Sequence, residues 1–267
     1  MELRLTTLGI LIMAAEGAYV LACALLASRL RKAGHVFFAL GFVATVAAFV
    51  FRWVQVDHLP MQNLFEASLS MGMMMYPITL LSRRYLKVGG EAVDALIAAI
   101  LVFLPAFVRK FSPEPQVLPP ALQSPLFAPH VGAYLLAYGI MFKAGAQAVG
   151  ALWDFDWLLG GEGLLKSEPA THRMVGLGFP LLTLGLVLGA WWGKLAWGDY
   201  WQWDPKELWS LVSWLIFLFY LHVRNRWGPR HRVFLSSLVL AGFTAILITY
   251  FWANLSALFK GMHSYAM

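Results

Sequence analysis

Long apolar stretches alternate with short basic runs along this chain, and that alternation limits its fold more than any other feature. A helix needs about 20 apolar residues to cross a bilayer. Eight stretches approach that length: residues 5–28, 35–53, 64–81, 93–107, 129–150, 175–192, 207–223 and 233–252. Between them lie runs such as Arg29-Leu30-Arg31-Lys32, Arg83-Arg84 and Arg224-Asn225-Arg226. The fourth stretch is short and suits a tilted or interfacial helix. The β-branched runs carry no period-two alternation, so no strand is expected. The expected fold is all-α: a polytopic integral membrane protein of about eight transmembrane helices, forming one domain over residues 1–267.

Composition agrees with this reading. Of 267 residues, 60% are hydrophobic and 13% charged, with a mean hydropathy of +0.67. A soluble domain usually carries about 25% charged residues. The formal charge of +6 reads as loop bases that set orientation, not as a nucleic-acid surface. Cys23 is the single cysteine, which excludes an internal disulfide and any thiol relay within the chain. Its plain reading is a small buried apolar residue. The first stretch has no clear cleavage site, and it is expected to stay as a permanent span.

The loops differ in basic content. One set holds Arg29, Arg31, Lys32, Arg83, Arg84, Lys87, Lys166, Arg173, Arg224, Arg226, Arg230 and Arg232, twelve in all. The other holds seven: Arg4, Arg52, Arg109, Lys110, Lys194, Lys206 and Lys260. The richer set is expected in the cytoplasm, which puts both termini outside. The proline-rich stretch from Ser112 to Pro129 is then an extended outer loop, since proline removes donors and blocks the preceding turn. Gly160-Gly161-Glu162-Gly163 reads as a flexible inner loop.

This orientation sorts the histidines. His35, His172 and His231 fall beside the inner loops, as solvated or interfacial residues. His130 and His263 lie outside, flanking the sixth and seventh stretches in sequence. They are either ordinary interfacial histidines or a converging pair able to fill both axial positions of a haem iron. His222 follows Glu207 by fifteen residues, about 22 Å at 1.5 Å per residue, which places it deep in the membrane. It reads equally as a functional group or as a side chain snorkelling inward. In the short outer loop, Asn63 and Glu66 have the spacing of an N-cap and its N3 partner, and His58 is left to line a site between helices.

Aromatic density peaks in one segment, residues 191–209, with Trp191, Trp192, Trp197, Trp201, Trp203 and Trp209 among the chain's twelve tryptophans. A membrane-interface belt also collects tryptophan, but it spreads over all helices and needs no local order. Here the rings share a loop with Gly193, Gly198 and Asp199, and Asp204-Pro205 marks the next helix start. Flat aromatic faces beside a helix N-terminus suit a large planar ligand with carboxylates at one edge. Haem has that form, with its propionates meeting Lys206, Lys194 or backbone amides.

The run Trp197-Gly198-Asp199-Tyr200-Trp201-Gln202-Trp203-Asp204-Pro205-Lys206-Glu207 resembles the WWD signature of haem-handling proteins. Ser124-Pro125 through His130, His222, and Gly261-Met262-His263-Ser264-Tyr265 extend the resemblance to the CcsA (ResC) family of System II cytochrome c biogenesis. The resemblance implies an eight-helix core in a bacterial plasma membrane, with the WWD loop and both termini extracytoplasmic. It implies that His130 and His263 ligate an outer haem b in transit, with Trp192, Trp197, Trp201, Trp203, Asp204 and Lys206 around it. His222 is implied to ligate an inner haem whose second histidine sits on a CcsB (ResB)-like subunit. The other implied partners are an apocytochrome c with a Cys-x-x-Cys-His segment and a thioredoxin-like thiol reductant. Two alternatives are a CcmC-like haem exporter that loads a chaperone, and a HemX-like membrane protein without a catalytic role.

Overall fold

The structure is a computed structural model, and it describes residues 6–107, 117–160 and 163–252. All regular elements among these residues are helical: α1 (Thr7–Ala27), α2 (Arg31–Val56), α3 (Leu64–Leu86), α4 (Glu91–Phe107), α5 (Phe127–Trp153), α6 (Asp156–Leu159), α7 (Ser167–Trp197), α8 (Pro205–Trp227) and α9 (Arg232–Leu247). A π turn over Ile248–Trp252 continues α9. Apart from the four-residue α6, these helices correspond in position to the eight apolar stretches.

Six helical segments are long and apolar enough to cross a membrane: α1, α2, α3, α5, α7 and the stretch Pro205–Phe251. That last segment has 47 residues, about 70 Å as one straight helix, while a bilayer core is about 30 Å thick. Gly228 breaks it, at a φ of 71° that favours glycine, and a 3-10 turn over Gly228–His231 leads into α9. At 17 residues, α4 is shorter than a usual crossing.

The chain divides into two compact units. The first contains α1, α2, α4 and α3 as far as Leu81. In it, α1 packs on both α2 and α4. Gly34 and Gly41 of α2 receive the side chains of Leu26 and Tyr19, and the Tyr19 hydroxyl meets Thr45 at 2.9 Å. Arg52, expected as an outer-loop base, is instead fully buried on α2. Its Nε and a terminal nitrogen donate to Glu66 Oε1 at 3.0 and 2.9 Å, because a buried guanidinium needs a paired carboxylate. Asn63 caps α3 as its spacing predicts. Its Oδ1 accepts from Glu66 N at 2.9 Å, and Glu66 Oε2 accepts from Gln62 N at 2.9 Å.

The second unit contains Ser82–Gly89 and the chain from Pro119 onward. Its centre is the antiparallel pair α5 and α7: Tyr134 lies on Gly185, Met141 on Gly178, and Ser167 on Gly150. Helices α8 and α9 complete the bundle. The proline-rich stretch is not wholly extended, since Pro120–Leu122 forms a 3-10 turn with proline at its tolerated first position.

Away from the tryptophans, polar groups hold the end of α3 and the loop after it by their carbonyls. Lys143, fully buried on α5, donates to Gly89 O at 2.8 Å, and Gln147 Nε2 reaches the same oxygen at 3.2 Å. Arg173, also counted as a loop base, lies within α7 and donates to Leu86 O at 2.7 Å. Leu165 N donates to Lys87 O at 2.9 Å.

Candidate functional site: an aromatic seat for an imidazole

The tryptophan segment is not one loop. Helix α7 continues through Trp197, so Trp191, Trp192 and Trp197 are helical, and only residues 198–204 form the loop. The sequence from Gly189 to Trp197 contains nothing that stops a helix until Gly198, which adopts a φ of 90° and donates its N–H to Lys194 O. Lys194 Nζ donates to Gly198 O at 2.5 Å and lies 5.6 Å from the Tyr200 ring centre. Its amino group therefore caps its own helix.

Helix α8 then opens as the sequence predicts. Asp204 Oδ1 accepts from Lys206 N at 2.9 Å, and Pro205 takes the first helical position. Glu207, which spacing alone did not single out, gathers the loop. Its Oε2 accepts from Gln202 N at 2.8 Å and Asp204 N at 3.1 Å, closing a capping box. Trp203 has a φ of 57° and is 66% exposed. It stands edge-on to Trp201 at 6.1 Å. The Trp201 indole N–H is buried without a hydrogen-bond partner. Lys206 is half-buried.

His130 lies in the first turn of α5 and is half-buried. Trp192 stacks on it at 5.6 Å with 23° between planes, and Tyr134 meets it edge-on at 5.2 Å. Trp192 is 1% exposed, touches Trp197 at 4.8 Å and Phe127 at 6.0 Å, and donates from Nε1 to Ala121 O at 2.9 Å. His130 Nδ1 bonds Gly185 O at 2.9 Å. The structure thus brings His130, Trp192 and Trp197 into one cluster, while Trp201 and Trp203 pair on the loop. Tyr134 and Gly185 were not singled out from sequence. Tyr134 follows His130 by one helical turn, the one signal that could have pointed to it.

His263 lies outside the described residues. His222 is on α8, seventeen residues after Pro205 and so about 26 Å along the helix, and it is exposed. His172, expected as a solvated or interfacial residue beside an inner loop, is half-buried on α7 beside Tyr220 at 6.2 Å, with Nδ1 buried and unbonded. The α7 helix begins at Ser167, which draws His172 into the packed face. Beside it, Arg224 and Glu168 form a two-pronged ion pair at 2.6 and 3.3 Å.

The arrangement offers an oriented imidazole among flat rings, next to a capped helix start and an exposed indole. Such a set of groups can stack on a flat ligand and donate one imidazole nitrogen. Among the described residues, no group of three or more His, Cys, Asp or Glu stands together as a metal cage.

Comparison with known proteins places the chain in a family. The family model described as cytochrome c assembly protein matches residues 33–263. The cytochrome c biogenesis protein CcsA of Guillardia theta is 31% identical over 274 residues, covering 88% of each chain. That of Synechococcus sp. (strain JA-3-3Ab) is 30% identical, covering 90% of this chain and 86% of the relative. In fold, the chain resembles the solved cytochrome c heme lyase CcmF, with a TM-score of 0.69 at 21% identity over 90% of this chain and 45% of the CcmF chain. By sequence, this chain belongs to the cytochrome c assembly protein family, among its CcsA members.

Proposed function

We propose that this chain is the haem-carrying subunit of a membrane cytochrome c synthase. It takes haem at His222 and holds it at the tryptophan end, between His130 and His263, for attachment to apocytochrome c. Family membership supports the broad role, the handling of haem in cytochrome c maturation by an integral membrane protein. One observation carries the finer reading: His130 is clamped between Trp192 and Tyr134 with Nδ1 on a backbone carbonyl. Such a bond orients an imidazole for iron through its other nitrogen.

The chain's residues divide the work. Trp192 stacks on the imidazole and holds it upright for an iron, and Trp197 braces Trp192 edge-on. The Asp204–Glu207 box fixes the start of α8, so the loop residues Trp201 and Trp203 keep their places. Attachment adds a cysteine S–H across each haem vinyl: sulfur bonds the carbon next to the ring, and the proton goes to the outer carbon. No net electrons are transferred in that addition, but both thiols must be unoxidised, which is the task of a thioredoxin-like reductant.

Exposure of His222 supports a second histidine from a CcsB-like subunit. It shares a face of α8 with exposed Leu208, Val212, Leu215 and Phe219, at alternating spacings of four and three, the spacing of a helix-packing seam. Loop charge supports placing the tryptophan end outside. With Arg52 and Arg173, both found well within helices, set aside, six bases on the tryptophan side stand against eleven on the other.

The test is co-expression with a CcsB-like partner, measuring haem per complex and covalent haem on a reporter apocytochrome. His130→Ala with His263→Ala is expected to abolish the bis-imidazole absorbance of the outer haem and covalent attachment. Survival of both would overturn the reading. His222→Ala is expected to lower haem loading while leaving the tryptophan end folded.

A further inference from the structure

Three residues of α7, Gly185, Gly189 and Trp192, decide how His130 stands. Their spacings of four and three put them on one helix face. Each contributes something different to the imidazole.

Gly185 contributes its carbonyl, 2.9 Å from His130 Nδ1. A carbonyl oxygen only accepts, so Nδ1 carries the hydrogen, and in the neutral ring the lone pair falls on Nε2. Gly189 contributes the absence of a side chain. A Cβ there would collide with His130 Cε1 and stand 2.8 Å from Nδ1 and 3.4 Å from Nε2. Trp192 contributes a fixed lid, stacked on the ring and anchored through its own N–H to Ala121 O. Gly185 has a second effect, since a Cβ there would stand 2.9–3.0 Å from the Tyr134 ring that braces His130 edge-on.

We propose that Gly185 and Gly189 are positioning residues: the α7 backbone holds His130 in the Nδ1–H tautomer, with Nε2 set to bind iron, before haem arrives. The inference rests on the reading of His130 as an outer axial ligand. A seat formed in advance removes the need to select a tautomer or rotamer at ligation, and the bond to a carbonyl strengthens the imidazole as a ligand.

The first measurement needs no haem. In the apo protein labelled with [15N]histidine, the His130 resonances, assigned by their loss in His130→Asn, are expected to show Nδ1 protonated and Nε2 bare. The second uses the complex with its CcsB-like partner. Gly189→Ala is expected to weaken haem binding at the tryptophan end by about 10–100-fold, the usual effect of disturbing a group that orients a ligating histidine. The bis-imidazole absorbance is expected to fade with it and return on adding imidazole. Alanine favours a helix over glycine, so a weaker α7 would not explain such a loss.

Gly132→Ala on α5 and Gly176→Ala on α7 are the controls, because a Cβ at either meets nothing within 4 Å. Both are expected to keep wild-type spectra. A bare Nδ1 in the apo protein, or a folded Gly189→Ala with unchanged haem affinity and spectrum, would falsify the proposal. If Gly189→Ala does not fold, the wild-type tautomer decides alone. Failure of the ligand reading is recognised separately: His130→Ala would then keep its bis-imidazole absorbance whatever the glycines do.

Discussion

At the end of the α5–α7 pair that holds His130, the helices meet through rings: Phe127, His130, Tyr134, Trp192 and Trp197 contact one another within 4.8–6.0 Å. Toward the opposite end, Lys143 and Gln147 reach from α5 to Gly89 O in the loop between α3 and α4, and Arg173 reaches from α7 to Leu86 O, the last carbonyl of α3. The same helix pair therefore combines two kinds of contact. Ring contacts are less directional, and the exposed indoles of Trp191 and Trp203 offer flat surface that a planar ligand can use. Hydrogen bonds to these carbonyls, from buried Lys143 and Gln147 and from exposed Arg173, are directional, and removing one donor loses a bond that packing does not replace. The tryptophan end is suited to admit a ligand, whereas the Gly89 end is suited to stay closed.

Substitutions that set one end against the other test this contrast. Trp192→Ala is expected to have the largest effect. Emptying the space of a fully buried tryptophan costs about 3–5 kcal/mol, and the His130 stack goes with it. Thermal unfolding in detergent and bound-haem absorbance should both fall. Lys143→Ala is expected to destabilise by about 2 kcal/mol, the loss of a buried amino group's bond to Gly89 O. The haem spectrum of the folded fraction should be unchanged, and a loss of haem in that fraction would break the division between the ends. Asp204→Ala removes the α8 cap and should cost about 1 kcal/mol, with faster hydrogen exchange confined to the first turn of α8. Trp203→Gly is expected to be the mildest. Relief of the left-handed backbone gains about 1–2 kcal/mol, and the greater freedom of glycine in the unfolded chain offsets about 0.5–1. Stability should therefore hold or rise slightly while covalent haem attachment on a reporter falls.

The two ends also differ in how much the sequence reveals. Features confined to one helix or its start could be read directly: the apolar stretches, the Asp204-Pro205 start and the Asn63–Glu66 cap all follow from spacing along the chain. Contacts between distant stretches could not. Arg52 looked like a loop base because its partner Glu66 lies across a turn, and nothing local shows that both are buried. Lys143 had no evident role because its acceptor, Gly89 O, is backbone and leaves no mark in residue identity. Helix α7 ran on through Trp197 because tryptophan, favoured at membrane interfaces, is also compatible with a helix, and only Gly198 supplies a stop. For His130, the residue type and the flanking tryptophans pointed to the site, but the seat on α7 needed the antiparallel register of two helices.

Helix α8 acts as a ruler. It begins at the capped Asp204 beside the tryptophan loop and carries His222 about 26 Å along its length. One haem is too small to touch both ends of that interval at once. On the proposed route, haem must therefore release one imidazole before it meets the next, and its iron passes through an interval without its starting ligands. On that route the same separation would let both stations be filled together, a second haem queuing while the first awaits its apocytochrome. A count of two haems per loaded complex under slow apocytochrome supply is the consequence of that fixed length.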